Sequence, residues 1–187
     1  GVTDFSVSFW FRTSSGQSAA ICGLDDSTRY FVFRTGSVTP GDLSFVVNDA
    51  LGEEAVFSSR GSLDDDRWHH VVGVRIANQI LLYVDGEVVG AKEVPGLGVV
   101  GIAQDIIVAK DAVLDVFFDG SIDELAVYNR ALNDADVGGL LGGTSRANSL
   151  GTFESEVIVR DEPSIWQSLA WAPDSPHSKG LTTVADD

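Results

Sequence analysis

The sequence predicts an all-β protein, an antiparallel two-sheet β-sandwich of the jelly-roll type with one short helix. Apolar and polar side chains alternate along many short segments, which is the period of a strand with one buried face. Turn-forming residues separate these segments every several residues, as in sandwiches and jelly rolls. Helical signals occur only at residues 134–141. Together the three observations favour a sandwich.

Length and charge limit the class of protein. The 187 residues suggest one domain with a short appendage, and 44% of them are hydrophobic, as in soluble globular proteins. The net charge of −16 argues against nucleic acid or an anionic membrane surface as a partner and favours cations. Solubility alone is the alternative reason for this charge. No apolar run is long enough to cross a bilayer.

The first half of the chain reads as five strands. In the first, Phe5, Val7, Phe9 and Phe11 alternate with polar or bulky neighbours and form one apolar face. Four more are predicted at residues 18–24, 29–35, 43–47 and 55–58. Cys22, the only cysteine, lies in the second strand, where we expect a small buried hydrophobe and no intramolecular disulfide.

The second half continues the pattern and contains a hairpin. Strands are predicted at residues 68–76, 80–84, 87–94 and 105–109, with a tight turn at 77–79. Asp85-Gly86 suits a two-residue type I′ turn, which needs positive φ at both central positions. From residue 116 the apolar register slips by one, since Phe118 and Ile122 are at even positions and Leu125 is at an odd one. A bulge near residues 123–124 would repair this slip.

One short helix follows the last of these strands. Asn133 is predicted to cap a helix over residues 134–141 that ends at glycines 142 and 143. After it the composition shifts to Ser, Thr, Asn and Gly. We therefore assign residues 1–143 to the jelly roll and 144–187 to a linker, a terminal strand at 153–159 and an interdomain tail.

Four segments carry a family resemblance: residues 4–10 (DFSVSFW), 66–71 (DRWHHV), 81–86 (LLYVDG) and 118–132 (FDGSIDELAVYNRAL). In this order and spacing they resemble the concanavalin A-like jelly rolls of the laminin G-like family, from residue 4 to about residue 141. The resemblance implies a binding or adhesion module. It also implies that the domain lacks the family's first strand, which would lie before residue 1.

The tail adds an expectation about the parent protein. Residues 153–179 look similar to segments that join successive domains of large bacterial exported proteins. We therefore expect an extracellular or cell-surface unit, excised from a multidomain protein, with neighbouring domains among its partners. Trp166 and Trp171 are then assigned to interdomain packing, whereas Trp10 and Trp68 are expected to be buried.

The pair His69-His70 and the acidic run at residues 64–66 are assigned structural roles. Adjacent strand residues point to opposite faces, so the two histidines cannot bind one ion from a regular strand. We expect them to be packed or hydrogen-bonded core residues. The acidic run is expected to be a solvated turn.

Calcium is the candidate cofactor, because the family often carries it and carboxylates are abundant here. The proposed ligands are Asp119, Asp4, Asp25, Asp26 and Asp123. Calcium takes six to eight oxygens, and no contiguous calcium-binding loop occurs in the sequence. Asp119 and Asp123 would lie about 13 Å apart on a regular strand, too far to share an ion directly. Asp119 with Asp4, or with the loop acids Asp25 and Asp26, is the preferred set.

The sequence argues against an enzyme. Glucanase relatives place their acids on one strand as Glu-x-Asp-x-x-Glu, and residues 121–124 lack the leading and trailing acids. We expect a non-catalytic module that binds a glycan or an extracellular protein, with calcium as the candidate cofactor. The alternatives are a structural spacer in a tandem array and an accessory carbohydrate-binding module of a hydrolase. No nucleic acid and no membrane insertion are expected.

Overall fold

A computed structural model describes residues 4–16, 19–24, 29–36, 39–49, 52–98, 100, 106–111 and 115–142, with backbone alone for 19–24 and 111. In this part of the chain, twelve strands precede one helix. Their bounds are β1 Phe5–Arg12, β2 Ala19–Leu24, β3 Arg29–Thr35, β4 Leu43–Asp49, β5 Glu53–Phe57, β6 His69–Ile76, β7 Gln79–Val84, β8 Glu87–Glu93, β9 Ile106–Val108, β10 Lys110–Asp111, β11 Val116–Phe117, β12 Ser121–Tyr128 and α1 Asp134–Leu141.

The strands form two five-stranded sheets and a small hairpin. The first sheet has the order β12-β1-β6-β7-β8, the second sheet has the order β5-β4-β3-β2-β9, and β10 pairs with β11. All pairings are antiparallel. The predicted all-β sandwich with one short helix is therefore confirmed.

The core lies between the two sheets and is rich in phenylalanine. Phe9 of the first sheet meets Phe33 of the second edge-to-face, with ring centroids 4.8 Å apart. Phe33 in turn stacks on Phe45 at 4.6 Å. Gly73 of β6 makes room for this stack, since a Cβ there would lie 2.5 Å from the Phe33 ring. The alternating apolar face predicted for β1 thus packs against the opposite sheet, and its four side chains are fully buried.

Two tight turns connect β6, β7 and β8. Asp85 and Gly86 have φ values of 50° and 83°, as the type I′ prediction requires. The other turn uses Ala77 with φ 48° and begins β7 at Gln79, one residue before the predicted start. These turns hold three strands of the first sheet in consecutive antiparallel order.

The predicted bulge is present in β12. Ser8 pairs with Ala126 and Trp10 pairs with Asp123, so two residues of β12 lie opposite the single residue Phe9. Glu124, one of the two, has φ 50°. The bulge restores the alternation, and the apolar side chains on both sides of it then face the core.

The helix covers the outer face of the first sheet. Asn133 and Asp136 form a capping box, in which each side chain accepts a hydrogen bond from the other's backbone N–H. Val137 packs with Val72 and Tyr83 of the sheet beneath. The helix bounds agree with the sequence prediction, and Gly142 is its C-cap.

One element of the structure, the hairpin β10–β11, was not predicted from the sequence. Other expectations concern parts of the chain that the structure does not describe. The assignments for Cys22, for Trp166 and Trp171 and for the tail concern side chains or residues outside the described part of the chain. No helix in the described part is long and apolar enough to span a membrane.

Candidate functional site

Four chain segments meet where β1 ends, and we call them the β1 rim: residues 12–16, 62–68, 85–86 and 118–120. Thr13 lies at their centre. Its hydroxyl donates to the Asp119 carbonyl oxygen at 2.6 Å, and its own carbonyl oxygen accepts from the Asp66 N–H at 3.0 Å. The Thr13 side chain is buried. These two hydrogen bonds therefore link the segments of the rim from which polar and aromatic side chains project.

Trp68 is the exposed aromatic side chain of the rim, with 42% of its surface open to solvent. The Arg12 guanidinium carbon lies 5.9 Å from the centroid of its ring, within the range of a cation–π contact. Arg12 also pairs with Asp66, with 3.3 Å between Nε and Oδ1. The expectation that Trp68 is buried is wrong, because the residue precedes β6 and lies in the loop that leads into it. Trp10 is half-buried and its ring lies 5.1 Å from that of His70.

The His69 side chain links the loop before Trp68 to the β7–β8 hairpin through two hydrogen bonds. Its Nδ1 lies 2.9 Å from Asp85 Oδ2, and its Nε2 lies 3.1 Å from Asp65 Oδ1. Asp85 also contacts Arg60 at 3.3 Å. Slight desolvation raises the pKa of Asp65, but hydrogen bonds from His69 and the Arg67 N–H, with their charges, bring the pKa below its usual value. The loop therefore keeps a carboxylate beside Trp68.

His70 points to the opposite face from His69, and each has the structural role predicted for it. The two side chains are 2% and 8% exposed, respectively. His70 Nε2 lies 2.9 Å from Ser8 Oγ. Burial lowers the pKa of His70 to about 4, although the nearby charge of Asp85 acts in the other direction. His70 is therefore neutral at pH 7. The solvated turn expected at residues 64–66 is also found, with Asp65 and Asp66 exposed.

At the register break, the Asp123 carboxylate stabilises the bulge. Asp123 Oδ1 accepts a hydrogen bond from the Glu124 N–H at 2.8 Å. That bond holds a backbone which a non-glycine residue rarely adopts, since Glu124 has positive φ. Asp123 is half-buried beside Trp10, its partner on β1. The geometry therefore gives the Asp123 carboxylate a structural role, whereas Glu124 contributes its backbone to the bulge.

The structure separates two of the proposed calcium ligands. Asp119 belongs to the β1 rim, whereas Asp4 lies at the other end of β1 and accepts a hydrogen bond from the Ala77 N–H at 2.9 Å. At about 3.3 Å per residue the two carboxylates are roughly 30 Å apart, so they cannot hold one ion. Asp25 and Asp26 lie outside the described residues. Within the described ranges, no three His, Cys, Asp or Glu side chains gather as a metal site.

Sequence reasoning missed two features. It did not foresee the exposure of Trp68, although the three acidic residues at 64–66, which Arg67 separates from Trp68, indicate a turn rather than a strand. It also did not single out Arg75, a buried arginine whose Nη2 donates to the Leu97 carbonyl oxygen at 2.8 Å. Burial lowers the pKa of Arg75, while Asp4 and Asp49 raise it. Arg75 anchors the loop after β8 and lies far from the rim.

Comparison with known proteins identifies relatives of the fold. A family model described as the concanavalin A-like lectin/glucanases superfamily matches residues 1–138. No curated protein sequence matches the chain.

Two solved structures illustrate the likeness. One is the botulinum neurotoxin serotype D binding domain, with a TM-score of 0.63 and 16% identity over 76% of this chain and 36% of that one. The other is the mouse laminin alpha1 chain, domains LG4-5, with a TM-score of 0.57 and 21% identity over 70% of this chain and 40% of that one. The chain thus spans well under half of either structure. At these identities the likeness concerns the fold alone.

Proposed function

The chain belongs to the laminin G-like family of the concanavalin A-like lectin/glucanases superfamily, and on that basis we propose that it is a non-catalytic, extracellular binding module that takes a neutral glycan at the β1 rim. Proteins of the same fold include a neurotoxin binding domain and a laminin, and the binding role is carried over to this chain as part of the proposal. The single observation that carries the proposal is the exposure of Trp68 on the hydrogen-bonded β1 rim.

Trp68 has the properties of a sugar-stacking platform. The residue is 42% exposed in the folded protein, and its ring is contacted by Arg12, which pairs with Asp66. A large rigid aromatic ring offers contact area at a low entropic cost. The ring can therefore pack on the apolar face of a pyranose.

The charges of the rim select the kind of glycan. Asp65, Asp66 and Asp119 are exposed acids of the β1 rim, which also carries Trp68, and carboxylates accept hydrogen bonds from sugar hydroxyls. The whole chain has a net charge of −16, which repels sulfated and sialylated glycans. Neutral glycans are therefore favoured.

The hydrogen bonds and ion pairs of three carboxylates support a non-catalytic role. A glycosidase needs a free pair of carboxyl groups across the scissile bond. Asp65 and Asp85 are both engaged by His69, and Asp85 also by Arg60. Asp123 is engaged by the bulge. These acids act as structural hydrogen-bond acceptors.

The test is binding of the full chain to immobilised neutral, sialylated and sulfated oligosaccharides. We expect binding to a neutral glycan that weakens about tenfold in Trp68→Ala, because loss of an aromatic contact costs about 1.5 kcal/mol. Phe117→Ala is the matched control, since Phe117 is a 52% exposed aromatic outside the rim. Absence of binding to every neutral glycan, or equal affinity of Trp68→Ala, would contradict the proposal and favour a spacer.

Calcium at Asp119 stays a prediction, and the residues described so far do not complete a site for it. It would need further ligands, for which Asp25 and Asp26 are the candidates. Thermal unfolding with calcium and then with EDTA tests it. We expect calcium to raise the midpoint in the parent chain and not in Asp119→Asn, and an equal response of both chains would exclude Asp119 as a ligand.

A further inference from the structure

A second tryptophan lies close to the contact between Arg12 and Trp68, on the outer face of the first sheet. Phe9 and Phe11, on either side of Trp10 in β1, are buried in the core, so Trp10 points away from it. The same alternation directs Arg12 outward. Two residues along a strand span about 7 Å, and the Arg12 guanidinium carbon lies 5.9 Å from the centroid of the Trp68 ring. Arg12 is therefore a neighbour of both indoles.

The Trp10 ring has a fixed neighbour and remains partly open to solvent. Trp10 is half-buried, and its ring centroid lies 5.1 Å from that of His70, its partner on β6. His70 is itself held in place, because its Nε2 lies 2.9 Å from the Ser8 Oγ. An aromatic ring that already packs against a fixed neighbour loses little entropy when a ligand contacts its open part.

The helix α1 covers a different part of this outer face. Its Val137 packs with Val72 and Tyr83, and Trp10 is not among the described side chains of that cluster. Trp10 is also absent from the described part of the core between the sheets. The described residues therefore place no apolar cluster over Trp10.

Polar groups flank Trp10 along the sheet. Its partner on β12 is Asp123, whose Oδ1 accepts a hydrogen bond from the Glu124 N–H. Among the described residues, none donates a hydrogen bond to Asp123 Oδ2. Arg12 contacts Asp66 through Nε, and a guanidinium has further N–H donors on its terminal nitrogens. Hydrogen-bonding groups of both kinds are therefore present beside the indole.

We propose that the glycan site continues from Trp68 past Arg12 to Trp10, so that its ligand is a linear neutral oligosaccharide of at least two sugar units. This inference rests on the proposed function, in which Trp68 is the first platform. One unit packs on each indole, and Arg12 between them donates to hydroxyl or ring oxygens. Asp123 Oδ2 accepts from a hydroxyl of the unit on Trp10. Two linked units cover both indoles, whereas a single unit covers one.

The dependence of affinity on oligosaccharide length tests the second platform. The probes are glucose, galactose and their linear neutral oligomers of two to four units, titrated into the full chain by calorimetry. We expect the affinity to rise about tenfold from one unit to the longer oligomers of a series that binds, because the second aromatic contact adds to the first. Equal affinity at all lengths would overturn this inference and leave the proposed function intact. Absence of binding at every length would contradict the proposed function as well.

Substitutions separate the two platforms. Trp10→Leu should weaken binding of the oligomers about tenfold and of the monosaccharide less than about twofold, because leucine retains an apolar contact with His70 but offers no flat ring. Trp68→Ala should weaken binding at every length. Val88→Ala is the control, since Val88 is 51% exposed on β8, and thermal unfolding verifies that each variant folds. Unchanged oligomer affinity in Trp10→Leu, or an equal loss at all lengths, would overturn the assignment.

The indole N–H signals give a second measurement that needs no substitution. The chain has four tryptophans, and each contributes one such signal to a proton–nitrogen correlation spectrum of the labelled protein. A trisaccharide of a series that binds should shift the signals of both Trp10 and Trp68, and its monosaccharide should shift that of Trp68 alone. A trisaccharide that shifts the Trp68 signal and leaves the Trp10 signal in place would overturn the inference.

Discussion

His70 is a buried neutral histidine, and its burial makes stability depend on pH. Burial lowers its pKa to about 4 in the folded protein, from an ordinary value of 6.5. The unfolded chain therefore binds a proton more readily between these values, and the contribution of neutral His70 is present above pH 6.5 and lost as the pH falls towards 4.

We expect acid to destabilise the parent chain more than the His70→Gln variant. Between pH 7 and pH 4.5 the free energy of unfolding should fall by about 2.5 kcal/mol more in the parent. Urea unfolding at both pH values measures this difference, and the variant serves as the control for the acidic residues common to both chains. Identical pH dependence in the two chains would show that His70 does not carry the effect.

For single residues, the sequence predicted the structural roles of side chains more accurately than their solvent exposure. The alternation of strand side chains placed His69 and His70 on opposite faces, as observed. The same alternation, extended one residue too far, placed Trp68 in the strand. Asp66 has φ 60°, which turns the chain just before Trp68 and directs it into the rim. A period-two pattern contains no information about such a turn.

The carboxylate of Asp85 holds the turn of the β7–β8 hairpin against the start of β6. Asp85 Oδ1 accepts from the His70 N–H at 2.9 Å, and Oδ2 lies 2.9 Å from His69 Nδ1. Both histidines are buried. When the carboxylate is removed, neither the His70 N–H nor His69 Nδ1 can form a hydrogen bond with water instead.

Asp85→Ala should therefore reduce the free energy of unfolding by about 2–4 kcal/mol. Asp85→Asn should reduce it by about half as much, because the amide oxygen still accepts from the backbone and asparagine tolerates positive φ. Chemical denaturation of both variants checks this order. A change below about 0.5 kcal/mol in Asp85→Ala would mean that the turn backbone alone fixes the hairpin.

Elements with strong local signals were predictable, and those without were not. Asn133 and the glycines after residue 141 located the helix, and the register slip located the bulge. The strands β10 and β11 have two residues each, which is too short for any period to show. At the rim, the contacts of Thr13 with Asp119 and of His69 with Asp85 join separate segments of the chain, so no local pattern could reveal them.

On the scale of the whole molecule, like charges dominate. The chain has 28 acidic and 12 basic residues. Folding brings the acidic residues together, and this repulsion destabilises the compact state. Salt reduces it, because the screening length falls from about 30 Å at 0.01 M to about 3 Å at 1 M.

We expect the unfolding temperature to rise by a few degrees between 10 mM and 0.5 M sodium chloride, with a similar rise in potassium chloride. Described ion pairs such as Arg34–Glu53 would weaken with salt and limit the gain. Calorimetry over a salt series measures the balance. A flat or falling midpoint would mean that the ion pairs outweigh the net repulsion.

The place of β1 between β6 and β12 has a consequence for biosynthesis. The strand β1 is synthesised well before β12, which is one of its two neighbours in the sheet, and Ser6 pairs with Tyr128. At about 5–20 residues per second, roughly 6–25 s pass between the synthesis of these two residues. Throughout that interval a strand with four apolar side chains on one face lacks one of its two neighbours. Nascent chains are therefore most vulnerable to misassociation before β12 emerges, and a chaperone that shields β1 would act in this window.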